Sequence, residues 1–523
     1  MRLDYEIRLA GGQSLRGSRE LEAGENIISL SLPEGRLESV SGLVELPITG
    51  DEKIFMNGYQ TWTFCPEYTA ADRIVPWKPL PRFLVKKFGL DRYGDYHFMD
   101  YPKKRGLTHG YSYCYFRRGE TFRLFASLDE RPGYTIFRYD SKAGKLTIQR
   151  DCRGLACGGD YPAFQLYYAQ GTEQQVFDGW FAALGIKPRT TEKLTGYSSW
   201  YNRYENIDEA SVLSDLAGCA QVLRPGDLFQ IDDGWQQGVG DWDCNDKFPH
   251  GLKPLVDEIH GKGLKAGLWL APFGCQKDAR LMREHPDWLL QVEGQPWYCG
   301  CNWGGFYALD IDKPEVRDYL RRVFDRVLNQ WGFDLVKLDF LYAAAPFGNE
   351  QESRAGRMIR AMELLRACCG EKLILGCGVP LMPAFGLVDY CRVSCDVSLD
   401  WDDKPHMRLI HRERVSTRQA ILNSVFRRQL NGRAFLSDPD VFFLREDNVK
   451  LSPQQKKLLA DCCSLFGGML LCSDDMAQYT PAALAQYRQM LKNRQAEDIR
   501  VLVDEGLRVR YTLEGQEKEL VIE

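Results

Sequence analysis

The sequence predicts a multidomain protein in which a (β/α)8 TIM barrel follows an N-terminal β-sandwich and precedes a small C-terminal β domain. Three observations carry this. The 523 residues exceed what a single hydrophobic core organises. Near residue 186 the pattern changes from short alternating runs to strands and helices in turn. After residue 478 alternation returns. The domains therefore read as 1–185, 186–478 and 479–523.

In the first span the runs "NIISLSL", "SGLVELPI", "FRLFASL" and "YTIFRYDSKAGKLTIQ" alternate as half-buried strands do, and the last folds back at Ser141-Lys142-Ala143-Gly144 as a hairpin. Many short strands with turn residues between them describe a sandwich. A helical segment, "QQVFDGWFAALG", leads out. No glycine- or serine-rich linker follows it, so the sandwich should pack tightly on the next domain.

The second span offers eight candidate strands: "GYSSWY", "LFQIDDGW", "LKAGLWLAPF", "FYALDI", "FDLVKLDFL", "KLILGCG", "YCRVSCD" and "AFLSDPDVFFL". Between them lie amphipathic helices. In "PEVRDYLRRVFDRVLNQWG" the residues Val316, Tyr319, Leu320, Val323, Phe324, Val327 and Leu328 share one helical face, with Pro314 suited to the first turn and Gly332 to the exit. Eight strands in series with helices between them close as a barrel. An open doubly wound sheet is the alternative, but no Gly-x-Gly-x-x-Gly opens a helix after the first strand, which leaves nucleotide binding unsupported. The tail, "IRVLVDEGLRVRYTLEGQEKELVIE", has turn signals at Asp504-Glu505-Gly506 and Glu514-Gly515 and forms the C-terminal β unit.

Composition narrows the function classes. With 44% apolar and 27% charged residues and a net charge of −5, nothing favours nucleic acid or an anionic membrane, and a neutral ligand fits better. The opening residues lack a basic head followed by an apolar stretch, and no uncharged run is long enough to span a bilayer. The 17 cysteines, odd in number and including the vicinal pairs Cys368-Cys369 and Cys462-Cys463, point to reduced thiols in a cytoplasmic protein. Cys299 and Cys301 have no second ligand pair, and the seven histidines include no His-x-His, so a zinc site is not expected. Self-association is left open.

In such a barrel the active site lies at the C-terminal ends of the strands. Polar or aromatic residues stand there repeatedly: Trp200; Asp232, Asp233 and Trp235; Trp269; Asp310; Lys337 and Asp339; Cys377; Arg392 and Asp396; Asp438 and Asp440. Asp339 ends the fifth candidate strand and Asp396 the seventh. Each has a structural alternative, as a helix cap, a turn former or the partner of a neighbouring cation. Taken together they are a carboxylate pair two strands apart at one mouth, the minimum for glycoside hydrolysis, in which one attacks ionised and the other donates a proton. Lys337, two residues before Asp339, favours its ionised form. Arg392 precedes Asp396 by roughly 13 Å of extended strand, far enough that it need not depress the proton donor's pKa unless the chain bends. Trp200, Trp235 and Trp269 suit the apolar face of a sugar ring or fill the core. Asp232 and Asp233 reach one ligand together only if their strand ends there. The loop "SLDWDDKPH" reads as a solvated acidic loop, with Asp400 a reserve proton donor.

The segments "NGYQTW", "SSWYN", "FQIDDGWQQGVGDW", "FPHGLKPLVDEIHGKGLKAGLWLAPF", "HPDWLL", "YALDI", "LVKLDFLYA", "ILGCGVPLMPAFGLVDYCRVSCD" and "LSDPDVFFLRE", running in order from residue 57 to 446, resemble the α-galactosidases of glycoside hydrolase family 36, particularly the shorter bacterial members. The resemblance implies a cofactor-free, retaining double displacement on terminal α-galactosides of small oligosaccharides. Asp339 would be the nucleophile and Asp396 the acid/base. It also implies that Asp232 and Asp233 hold the outer hydroxyls of galactose and that Lys337 contacts the ring. Cys377 and Arg392 would lie near the 2-hydroxyl, with Trp269 and Trp62 of the sandwich as walls. The residues after Asp396, "VSLDWDD", depart from the family pattern on the leaving-group side. An α-N-acetylgalactosaminidase, a galactosyl-transferring enzyme and a non-catalytic carbohydrate-binding protein are the rivals, with a metal hydrolase behind them.

Overall fold

The computed structural model describes residues 1–76, 81–102, 104–402, 411–504 and 506–522. The N-terminal strands form an antiparallel assembly around two long bent strands, Gly24–Glu45 and Ala156–Gly171, that pair along most of their length. Gly24–Glu45 passes from one layer to the other: its first half faces Ala156–Gly171, and its second half lies between Arg2–Leu9 and Lys145–Arg150. The hairpin of Thr135–Asp140 with Lys145–Arg150 turns at the four residues named above. Between the layers lies an apolar core including Leu3, Val44, Phe116, Phe137 and Ile148.

A helix, Glu173–Leu184, follows. Thr172 caps it in a capping box and Gly185 ends it at φ 65°. The parallel barrel is then built from β1 (Leu194–Ser198), β2 (Leu228–Ile231), β3 (Lys265–Leu270), β4 (Leu335–Leu338), β5 (Leu373–Gly376), β6 (Tyr390–Arg392), β7 (Leu436–Asp438) and β8 (Met469–Cys472). Neighbours pair in parallel from β1 through β7, and β8 pairs with β1. The continuation of β7, Val441–Phe442, pairs with β8 and closes the ring. Every residue of β4 is buried, as a strand covered on both faces must be. Pro314 starts the helix Pro314–Asp325, a π-turn at Arg326–Gln330 extends it, and Gly332 leaves it at φ 90°.

Two strand assignments differ from the sequence reading. "FYALDI" is not a barrel strand: Phe306–Ala308 pairs antiparallel with Gly274–Gln276 and Tyr298–Gly300 in a small sheet above β3. The eighth strand is instead Met469–Cys472, in "GGMLLCSD". Asp339 therefore follows the fourth strand and Asp396 the sixth, still two apart.

Three antiparallel strands, Glu497–Leu502, Leu507–Leu513 and Gln516–Ile522, end the chain. Their inner residues Val501, Val509, Tyr511 and Leu513 join the barrel's apolar cluster. All 17 cysteines carry free thiols. Among the described residues no helix is long and apolar enough to cross a membrane.

Candidate active site

A cavity of about 350 Å³ opens at the C-terminal ends of the strands, within the size range of small-molecule sites. Its wall includes Asp232, Asp233, Trp269, Lys337, Asp339, Asp396, Trp200 and Trp62. Cys377 and Arg392, also singled out from the sequence, form the layer behind that wall, with 0% and 2% exposure.

The β4 end answers for its two charges. Trp269 lies opposite Lys337 in the β3–β4 register. The Asp339 amide donates to the Leu270 carbonyl at 2.9 Å, carrying the ladder one residue beyond β4. Phe340 then turns into the left-handed region at φ 53°, which stops the strand and aims the aspartate inward. Its amide donates to Asp339 Oδ1 at 2.9 Å, and the Trp269 indole donates to Oδ2 at 3.2 Å. Lys337 Nζ donates to Asp232 Oδ2 at 3.0 Å and lies 3.9 Å from Asp339 Oδ2. Burial opposes a charged lysine, but Asp232 and then Asp339 outweigh it and hold the ammonium protonated.

Because β2 ends at Ile231, Asp232 and Asp233 both reach the cavity. Gln230 donates to Asp232 Oδ2 at 2.9 Å, and Asp233 accepts from Gln236 (2.6 Å) and from the Trp303 indole (2.8 Å). Burial pushes Asp233 up to about 6 against the pull of those two donors.

On the opposite side, β6 stops at Arg392 and the chain to Asp396 leaves the extended conformation. The expected separation of these two is therefore wrong: Arg392 Nη1 donates to Asp396 Oδ1 at 2.7 Å. Asp396 keeps 36% of its side chain open. Removal from bulk water raises its pKa, Arg392 and then Lys337 lower it, and Asp339 raises it, with a net rise. Asp438 and Asp440 do not face the cavity; both bind Arg392.

The loop Asn57–Phe64 of the N-terminal domain supplies Trp62. The fully buried Arg427 holds this loop by donating to Asn57 Oδ1 (3.1 Å), the Gln60 carbonyl (3.1 Å) and the Thr61 carbonyl (2.5 Å). The Trp62 indole donates to Cys377 Sγ at 3.3 Å and its ring meets Phe340 edge-on at 5.1 Å.

A sequence model of the melibiase family matches residues 195–362, the stretch that holds Asp232, Asp233, Lys337 and Asp339. A solved α-galactosidase from Thermus thermophilus, in complex with p-nitrophenyl α-D-galactopyranoside, superposes with a TM-score of 0.75 at 28% identity over 98% of both chains. The chain is thus similar to the melibiase family over residues 195–362, and to a solved α-galactosidase over nearly its whole length. An α-galactosidase of Escherichia coli is 32% identical over 183 residues, and Mel36A of Lactobacillus acidophilus 34% over 150. These matches span 25% and 20% of the two relatives' own length.

Several walls of this site were not read from the sequence. Trp303, at φ 53°, comes from the loop between the small antiparallel strands, with Cys301 and Asn302 beside it. Tyr93 lies between domains, donating to Asn302 Oδ1 at 2.6 Å and stacking on His411 at 5.0 Å. Glu205, Glu413 and Arg414 complete the rim. The one available signal was an indole inside the turn "CNWGGF". Trp235 fills the core, donating to the Trp269 carbonyl at 3.0 Å, and Asp310 pairs with Arg357 at 2.8 Å. In the loop after Asp396, Asp402 pairs with Arg414 and Asp400 lies 3.7 Å from Lys450. Both aspartates are largely buried rather than solvated, and Asp403 lies outside the described residues. Among the described residues no group of three or more potential ligands could hold a metal ion.

Proposed function

We propose that this chain is a retaining exo-α-galactosidase acting on terminal α-galactosides of small oligosaccharides. The observation that carries the reading is that Asp339 and Asp396 line one cavity in unlike settings. Asp339 receives two hydrogen bonds and stands near a protonated lysine, which suits an ionised nucleophile. Asp396 has its pKa raised by burial, which suits a proton donor. In the proposed sequence Asp339 attacks the anomeric carbon while Asp396 protonates the departing oxygen. Water deprotonated by Asp396 then releases α-galactose. Asp232, Asp233 and Lys337 supply acceptors and a donor for the sugar hydroxyls, and Trp62, Trp269 and Trp200 supply ring faces. A cytoplasmic setting, suggested by the 17 free thiols, belongs to the same proposal.

The test is turnover of p-nitrophenyl α-galactoside. The wild type is expected to release nitrophenolate, and Asp339→Ala to lose several orders of magnitude in kcat. Binding of the sugar without any turnover would instead support the non-catalytic rival. Strong preference for the 2-acetamido substrate would move the specificity to N-acetylgalactosamine.

A further inference from the structure

A general acid must keep its proton until the leaving oxygen takes it, yet the Arg392 guanidinium touches Asp396 at 2.7 Å. A cation that close ordinarily lowers a carboxyl pKa by about 1–3 units, which would leave Asp396 ionised and useless as a donor. The same guanidinium is engaged on its other two edges. Nε donates to Asp438 Oδ2 at 2.8 Å, and Nη2 lies 2.9 Å from Asp440 Oδ1. Asp438 is 0% and Asp440 2% exposed, so little water screens either of them.

Asp440 is also placed deliberately. It is an aspartate in the left-handed region, at φ 77°, a conformation that costs a non-glycine residue free energy and persists where the surroundings enforce it. Its amide donates to Asp438 Oδ1 at 3.0 Å, and its Oδ2 accepts from the Tyr201 hydroxyl at 2.6 Å and the Val397 amide at 2.8 Å. Its carboxyl thus meets the Tyr201 hydroxyl, the Val397 amide and the Arg392 guanidinium, which favour its ionised form, against burial and the neighbouring carboxylates Asp396 and Asp438. The Val397 amide ties it to the residue next to Asp396.

We propose that Asp438 and Asp440 are positioning residues that neutralise Arg392, so that the guanidinium orients Asp396 without holding it ionised. The inference rests on Asp396 being the general acid of the proposed activity. The other groups around Asp396 do not supply this balance. Lys337 and Asp339 oppose one another across the cavity. Burial keeps Tyr201, Tyr204, Cys377 and Cys395 neutral by raising their pKa values. Beyond Asp396, Arg414 is paired with Asp402 at 2.8 Å, and Asp400 lies 3.7 Å from Lys450. Burial pushes Asp440 up to about 6 and Arg392 pulls it down, so the compensation grows as pH rises through that region.

The experiment is the pH profile of kcat/KM for p-nitrophenyl α-galactoside and for melibiose, in the wild type, Asp440→Asn and Asp438→Asn. Activity needs protonated Asp396, so its titration sets the alkaline limb. Removing one compensating charge should shift that limb toward acid by about one unit or more, with a larger loss on melibiose, whose sugar leaving group needs more protonation. Tyr201→Phe keeps the volume and withdraws one hydrogen bond that favours ionised Asp440. It should shift the limb in the same direction by less, and it serves if the asparagine variants do not fold. Variants whose kcat/KM falls equally at every pH, with the limb unmoved and no leaving-group dependence, would overturn the compensation. Absence of wild-type turnover would overturn the assignment of Asp396 as an acid and the compensation with it.

Discussion

At the scale of single residues, the cavity is defined by how its charges are shared. Lys337 divides its charge between Asp232 and Asp339, nearer the first, at 3.0 Å against 3.9 Å. On the proposed mechanism this leaves Asp339 near a cation without a close ion pair, as a nucleophile requires. A small anion should therefore replace it. With azide, Asp339→Gly is expected to recover turnover and to give the β-galactosyl azide, which NMR of the product distinguishes. An α-azide would exchange the roles of the two carboxylates. Lys337, Asp339 and Asp396 were legible in the sequence because ionisable residues inside otherwise apolar strands are costly unless they have a use. The contact of Arg392 with Asp396 was not, because it depends on β6 ending at Arg392 rather than four residues later.

At the scale of elements, most barrel strands could be read because buried parallel strands are short apolar runs between amphipathic helices. The exceptions have physical reasons. Met469–Cys472 follows the helix Pro453–Phe466 after only two glycines, so the apolar run gives no break in period. Phe306–Ala308 has the composition of a strand and is one, but in an antiparallel sheet that a single sequence does not separate from a parallel one. The connection after β5 shows how little room the site leaves. Gly378 has φ 59°, and a Cβ there would lie 2.9 Å from the Trp62 ring and 3.0 Å from the Phe340 nitrogen. Gly378→Ala is expected to cost about 1–2 kcal/mol from the backbone conformation alone, measured by denaturant unfolding. It should also raise KM by pushing the indole into the cavity. Unchanged stability and KM would show that the loop has slack.

At the scale of the whole molecule, the cavity is not a property of the barrel alone. Trp62 comes from the N-terminal domain, and Arg427, between β6 and β7, holds its loop through three acceptors while also donating to the Val393 carbonyl at 2.9 Å. Such contacts, made across 366 residues in the case of Thr61, leave no local pattern. That is why the rim residues Tyr93, Trp303 and Arg414 were not found while the strand-end residues were. Arg427→Ala would withdraw the donor from four buried acceptors, of which the Gln60 carbonyl alone keeps another, the Thr63 amide, and a loss of about 3 kcal/mol or more is expected. Trp62→Ala should leave the fold intact while raising KM more than it lowers kcat. Equal effects of Trp62→Ala on p-nitrophenyl α-galactoside and on an unrelated α-glucoside would argue against a wall specific to the sugar.

The central claim is that two carboxylates on this cavity act on one bond, with Asp339 forming the covalent link. Incubation with 5-fluoro-α-galactosyl fluoride, followed by mass spectrometry of the intact protein and its peptides, tests this directly. The account predicts one fluorogalactosyl group per chain, on the peptide containing Asp339. A label on Asp396, or wild-type turnover that never accumulates a labelled chain under this reagent, would contradict it.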